Sequence, residues 1–265
     1  MTIRLSLCAL PLLLCATLPA RAEEREFCAD RPGLTTPPCT LAPGTAMIEV
    51  GAAAWEHSRD AASIEDDVTV GDALLRLGIA DSAELQIGLT SHVTQRSKDR
   101  ASGAVTRVRG PGDGMIALRR GLAGPNGPVA LMGFITLPTG KPPIGAGRLE
   151  AGVLLPATIS LPADFEIGLT PEFDLAANSG RGGRHPRWGG AVGLSHPLGE
   201  HLTLTGELAA FRDEDPGAHS TDARAAGSLA WQVGERFQLD VELDLGLAKG
   251  APDRAIMLGF ARRFD

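Results

Sequence analysis

The chain has 265 residues, with 33 Gly, 19 Pro and 32 acidic against 25 basic side chains. The acidic balance argues against a nucleic-acid partner. Beyond the N-terminus no stretch approaches the roughly 20 apolar residues of a spanning helix, and the Gly/Pro content suits many strands joined by turns.

The chain opens with Arg4, an apolar run from Leu5 to Leu18, and Ala20-Arg21-Ala22. A basic start, a short apolar core and a small-x-small site make residues 1–22 a secretory signal peptide, with cleavage expected after Ala22. Leu precedes both Cys8 and Cys15, where lipid attachment would want a small residue. Cleavage leaves 243 residues (265 minus 22) and removes Arg4 and Arg21, so 23 basic face 32 acidic residues, a net of −9. Cys28 and Cys39 remain. An even count in an exported chain favours a disulfide; a metal site is the alternative, and it would need further ligands. Residues 23–44 are read as a periplasmic segment carrying that bridge.

From residue 45 onward apolar and polar residues alternate with period two. The spacing predicts strands at 45–57, 67–79, 83–94, 113–122, 128–138, 148–160, 164–177, 187–198, 201–212, 222–233, 236–248 and 254–264. Short turns such as Ile79-Ala80-Asp81-Ser82 and Val233-Gly234-Glu235-Arg236 alternate with longer polar loops at about 58–66, 95–112, 139–147, 178–186, 213–221 and 249–253. Membrane barrels have this asymmetry, with short periplasmic turns and longer outer loops. An even count brings both termini to the periplasmic side. A missed hairpin would make ten strands, a split loop fourteen.

The segment RFQLDVELDLGL sets Phe237, Leu239, Val241, Leu243, Leu245 and Leu247 against Gln238, Asp240, Glu242, Asp244 and Gly246. Leu85, Ile87 and Leu89 likewise oppose Glu84, Gln86 and Thr90. With the export signal, this points to an all-β fold over 45–265: a transmembrane, antiparallel, up-and-down β-barrel of about twelve strands in the bacterial outer membrane. Apolar rows would face lipid and polar rows the lumen, and the sheet must close because open edges are intolerable in hydrocarbon. Phe165, Trp231, Phe237 and Phe264 would form an aromatic girdle at the short-turn end. A soluble sandwich or lipocalin-like barrel would carry the same rows inverted. Against the membrane reading stand the absence of Tyr, poor alternation in the first two strands, and Asp265 following the terminal Phe264.

The expected lumen-lining residues are Glu84, Arg119, Arg148, Glu166, Glu172, Asp174, Arg187, Glu207, Arg224, Asp240, Glu242 and Asp244, with Arg76 as a further inward partner. They suit either a narrow interior filled by charge pairs or a selectivity-determining lumen. The basic residues Arg96, Lys98, Arg100, Arg107 and Arg109, with Arg181, Arg184 and Arg187, are solvated loop charges or ligands for lipopolysaccharide phosphates. His92 with Ser91 or Ser97 could imitate a hydrolase pair. However, adjacent strand residues face opposite ways and no G-x-S-x-G elbow exists. No metal or cofactor motif is present, and the glycines of GRGG and GPGDG lack the strand-to-helix context of a phosphate cradle.

The segments FCADRPGLTTPPCTLAPGTAMIEVG, LLRLGIADSAELQIGLT, GPGDGMIALRRGL and GFITLPTG resemble the family of outer-membrane transporters of the MetA pathway of phenol degradation. The more specific points are Asp30-Arg31-Pro32 with Thr35-Thr36, Gly112-Asp113 and Pro138-Thr139-Gly140. The resemblance spans nearly all of the chain past the signal. It implies an outer-membrane barrel passing small, aromatic or apolar compounds, and supplies no binding residues to carry over. The expected function is therefore passive transport rather than enzymatic. The expected partners are outer-membrane lipid, lipopolysaccharide, the barrel-assembly machinery and a small solute, with the oligomeric state open. The alternatives are a structural or lipopolysaccharide-binding barrel without an open pore, and an outer-membrane esterase or lipid-modifying enzyme.

Overall fold

The computed structural model describes residues 25–180 and 182–265, so the signal-peptide expectation and Arg181 lie outside the described residues. Fourteen strands follow in order: β1 (Ala46–Arg59), β2 (Ser63–Ala80), β3 (Ala83–Asp99), β4 (Val105–Gly110), β5 (Gly114–Gly121), β6 (Ala130–Leu137), β7 (Glu150–Leu154), β8 (Ala157–Ser160), β9 (Glu166–Ala177), β10 (Arg184–Pro197), β11 (Leu202–Asp213), β12 (Ser220–Gln232), β13 (Phe237–Gly246) and β14 (Arg254–Phe264). β4 and β5 pair successively with β3 and make one stave; β7 and β8 pair successively with β9 and make another. The fourteen strands are therefore twelve staves, all antiparallel. β14 pairs back onto β1, which closes the barrel.

Side-chain burial follows the parity expected in lipid. Leu239, Leu243 and Leu245 are 39%, 56% and 62% exposed, while Asp240, Glu242 and Asp244 on the same strand are 7%, 4% and 1% exposed. The inverted, soluble arrangement would need the opposite. Phe165, Trp231 and Phe264 are exposed near the short-turn end, and Trp55 and Trp188 stand on the outer half.

Two expectations change. The stretches 58–66 and 95–112 are largely strand, because β2 begins at Ser63, β3 runs to Asp99 and β4 occupies Val105–Gly110. Apolar alternation stops at the membrane boundary, but the hydrogen-bonded ladder continues beyond it. The poor alternation of the first strands also has a cause. The ladder steps from Gly51 to Ala53 in β1, from Asp72 to Val70 in β2 and from Thr90 to His92 in β3. Above this level the inward parity is inverted, so Val68 and Val70 face out. Gly71 has φ +67°, and a Cβ there would lie 3.0 Å from Ser91 Oγ. The irregularity continues into the β4–β5 break, where the Gly112 amide donates to Thr90 O. β4 pairs with β3 alone, and loop 138–149 packs against the break.

Leu243 lies on the lipid face near mid-bilayer, and Asp244 points inside. Leu243→Arg should lower folding stability in lipid by roughly 2–4 kcal/mol, measured by denaturant titration in bilayers. Asp244→Asn should leave it nearly unchanged. Equal losses from both would refute the face assignment.

Candidate functional site: the charged barrel interior

The barrel interior at the short-turn end is occupied by the chain's own N-terminal segment. From Arg25 onward the segment read as periplasmic runs inside the wall at that end, held by side chains from both sides of the barrel. An irregular peptide in that position must find partners for every amide, and strand carboxylates supply them. Glu49 accepts from the amides of Asp30 and Arg31, each at 3.0 Å. Glu242 accepts from Gly33 at 2.8 Å. Glu207 accepts from Leu34 and Thr35, both at 2.8 Å. Thr170 Oγ1 accepts from Thr36 at 2.8 Å, and Glu84 from Leu41 at 2.9 Å. Gly33 has φ +120°, and a Cβ there would lie 2.5 Å from Glu207 Oε2, so glycine is required on both counts.

The segment is locked by two arginines that are 0% exposed, Arg76 from β2 and Arg119 from β5. Arg119 donates to both carboxylate oxygens of Asp30, at 2.8 and 2.6 Å. Arg76 pairs with Glu84, Glu49 and Asp30, at 2.9, 2.9 and 3.0 Å. Cys28 and Cys39 form a disulfide. The carbonyl of Cys28 accepts from Arg76 and that of Cys39 from Arg119, at 2.8 and 3.2 Å. Burial pushes the Asp30 carboxyl up; the facing guanidiniums of Arg119 and Arg76 outweigh that and hold it below the ordinary carboxylate range. On the opposite wall Arg31 reaches Asp240 at 2.9 Å, and Gln238 donates to Arg31 O.

The remaining charges lie above this plug. Arg187 pairs with Asp174 at 2.7 Å and Glu172 at 3.4 Å, and its guanidinium stacks over Phe211. Arg224 meets Asp222, Asp244 and Glu56 at 2.6, 3.6 and 3.7 Å. One residue expected in the lumen lies elsewhere. Arg148 is exposed in the bend before β7, which starts only at Glu150, so no strand pleat directs it inward. Glu166, at the first position of β9, is exposed at the rim and lines the cavity beside the plug, on the inward parity of Glu172 and Asp174. Arg184 is also exposed and donates to Leu149 O. Facing the acidic wall is an apolar patch that parity alone did not single out: Ala117, Met132 and Leu154, with Met115 and Phe134 packed against them.

Hydrolytic geometry is not assembled at His92. Its Nε2 contacts Thr94 Oγ1 at 3.2 Å, while the Ser91 side chain lies beside Gly71 at the parity break. Among the described residues no group of three or more His, Cys, Asp or Glu could hold a metal ion.

At the outer end, loop 214–219 is pinned to the loop after β9 by Asp215. Its carboxylate accepts from the amides of Ser179 and Gly217, both at 2.8 Å. The Ser179 hydroxyl, then these two amides, lower its pKa to about 2. A depressed carboxylate contributes stability above its unfolded pKa of about 3.9 and loses it as pH falls through the folded value. Acidifying from about pH 5 to about pH 2 should therefore release this loop, read as faster amide exchange. Asp215→Asn should release it already at neutral pH.

Removing the carboxylate between the two arginines tests the lock. Asp30→Ala leaves buried positive charge uncompensated and should cost about 3–5 kcal/mol. Denaturant unfolding would read the loss, and protease access to the N-terminal segment should rise while the barrel stays folded.

No curated protein matches the sequence. Among solved structures, the chain is similar to the COG4313 outer membrane channel from Pseudomonas putida F1, at TM-score 0.64 and 15% identity over 85% of this chain and 97% of that one. It is also similar to the β domain of the Bordetella autotransporter BrkA, at TM-score 0.55 and 11% identity over 84% of this chain and 100% of that one. These likenesses are to outer-membrane β-barrels and establish the fold. The model of the family described as "Putative MetA-pathway of phenol degradation" matches residues 29–264, from the plug to the last strand, and the chain belongs to that family.

Proposed function

We propose that the protein is a passive outer-membrane channel for small apolar or aromatic solutes, with a route beside the plug along the β9–β13 wall. The observation that carries this reading is a pair of interior cavities at different depths. One of about 710 Å³ opens among the outer ends of β1, β2 and the β13–β14 loop and reaches inward to Glu56. The other, about 270 Å³, lies between the plug and β9–β12 and reaches Glu207. Between them stand Arg224, Asp244 and Glu242, with Arg224 bridging Glu56 and Asp244. A polar wall facing the Met115–Phe134 patch would let a small amphipathic ring slide along apolar atoms while its polar edge stays hydrated. The COG4313 protein is an outer membrane channel, which supports passive transport, and the family description names phenol degradation, which supports aromatic cargo. Insertion by the barrel-assembly machinery, recognising the last strand through Phe264, completes the reading.

Planar-bilayer conductance and liposome swelling with phenol-sized solutes test it. The folded protein should give flux above background. Arg224→Ala should raise cation conductance, and Asp244→Asn should lower the cation-to-anion permeability ratio. Background flux from folded protein, unchanged when the plug is loosened by Asp30→Ala, would leave a structural barrel without a pore.

A further inference from the structure

We propose that the outward face of the β3–β4 hairpin is a binding site for the phosphates of lipid A, the membrane anchor of lipopolysaccharide. The cross-strand ladder fixes which residues are neighbours on this face. One row runs Leu243, Ile256, Trp55, Val68, Thr94, Arg109. The next row toward the outside runs Leu245, Arg254, His57, Asp66, Arg96, Arg107. The row after that holds Arg59, Ile64, Lys98 and Val105. On β3 and β4 these rows bring Arg109, then Arg96 and Arg107, then Lys98 onto one outward face.

The change coincides with the membrane boundary. On β3, Leu89 is the last large apolar residue facing lipid, and His92, Thr94, Arg96 and Lys98 follow it outward. A two-residue step along a strand tilted by about 40° rises about 5 Å. Arg96, Arg107 and Arg109 then stand within one or two steps of Val68 and Trp55, at the depth where acyl chains end and phosphates begin.

The charge arrangement needs an anion. Arg96 and Arg107 are direct cross-strand partners, a like-charge juxtaposition that destabilises a ladder unless something bridges it. Asp66 answers Arg96 at 3.0 Å and also contacts His57 at 2.8 Å. Arg107, Arg109 and Lys98 make no side-chain hydrogen bond or ion pair among the described residues, and both arginines are exposed. Four fixed cations on this face (Arg96, Lys98, Arg107, Arg109) thus oppose one carboxylate, Asp66 of the adjoining strand, in a chain whose net charge is −7. Guanidiniums bind phosphate through paired N–H donors, and Val68 on the adjoining strand, facing out one step below Asp66 and Arg96, suits an acyl-chain edge.

The test uses the full barrel in detergent with a chelator present, so that divalent bridges cannot substitute. Binding of purified lipopolysaccharide is compared with binding of the same material after removal of the lipid A phosphates. The wild-type protein should retain the phosphorylated form, and dephosphorylation should weaken binding by about tenfold or more. Arg107→Gln with Arg109→Gln should cause a similar loss. Arg107→Lys with Arg109→Lys should retain most binding, and Arg120→Gln, at the short-turn end, should change nothing. Equal binding of both lipid forms, no loss in the double Gln variant, or equal competition by phosphatidylglycerol or inorganic phosphate would overturn the proposal. Heat-modifiable migration confirms that each variant is folded, and the charge-retaining pair keeps the test valid should the Gln pair fail to insert.

Discussion

The structure depends on one constraint: a peptide without secondary structure occupies the inside of a closed sheet, and its amides have no neighbouring strand. Such groups, if left unpaired, would each cost on the order of 1–3 kcal/mol. Five carboxylates and hydroxyls from five different strands, Glu49, Glu84, Thr170, Glu207 and Glu242, accept from backbone amides between Asp30 and Leu41. An acidic inner wall therefore serves first as a set of acceptors that fixes a plug. Carboxylates alone would repel one another there, and Arg76 and Arg119 neutralise them while also gripping the two cysteine carbonyls. The disulfide shortens the loop so that both carbonyls face the arginine pair.

The barrel was legible because lipid imposes a strict rule. One face of each strand meets hydrocarbon and the other does not, so β13 writes its orientation into alternate letters from Phe237 to Leu247. Legibility ended where the rule ended. Above Ala52, Gly71 and Ser91 the parity inverts, and a period-two pattern with a phase slip looks like no pattern. Beyond the membrane, β3 and β4 continue as a ladder that no apolar row marks. The plug was illegible for a different reason. Asp30 and Arg31 read only as part of a periplasmic segment, because nothing local shows that their partners, Arg119 and Asp240, lie 89 and 209 residues away. The one available signal was Asp-Arg-Pro between two cysteines, a charged pair inside a loop too short to solvate itself freely.

The segments that resemble the family acquire physical roles on the same terms. Thr35 and Thr36 meet Glu207 and Thr170. Asp113 accepts from the amides of Gly140 and Ala146, and Thr139 Oγ1 accepts from Gly114 and donates to Gly112 O. These contacts close the wall where one stave breaks between β4 and β5. Gly112 is required there, since a Cβ would lie 2.7 Å from Thr90 Cβ. The family signature thus marks the two places where a regular barrel would fail, the filled interior and the interrupted wall.

Charge segregation then ties the inside to the outside. Acids concentrate on the inner wall of β9–β13, and unpaired bases concentrate on the outward side of the β3–β4 hairpin. A pleated strand separates these environments by one residue, so the same ladder can present carboxylates to a hydrated interior and guanidiniums to an anionic lipid surface. The parity slip at Gly71 and Ser91 makes this possible on β2 and β3. Without it, continuing the lower phase would send Thr94, Arg96 and Lys98 into the interior and turn Asp67 and Glu56 out toward the membrane face. The irregularity that spoils the sequence pattern is thus what sorts charge between lumen and membrane.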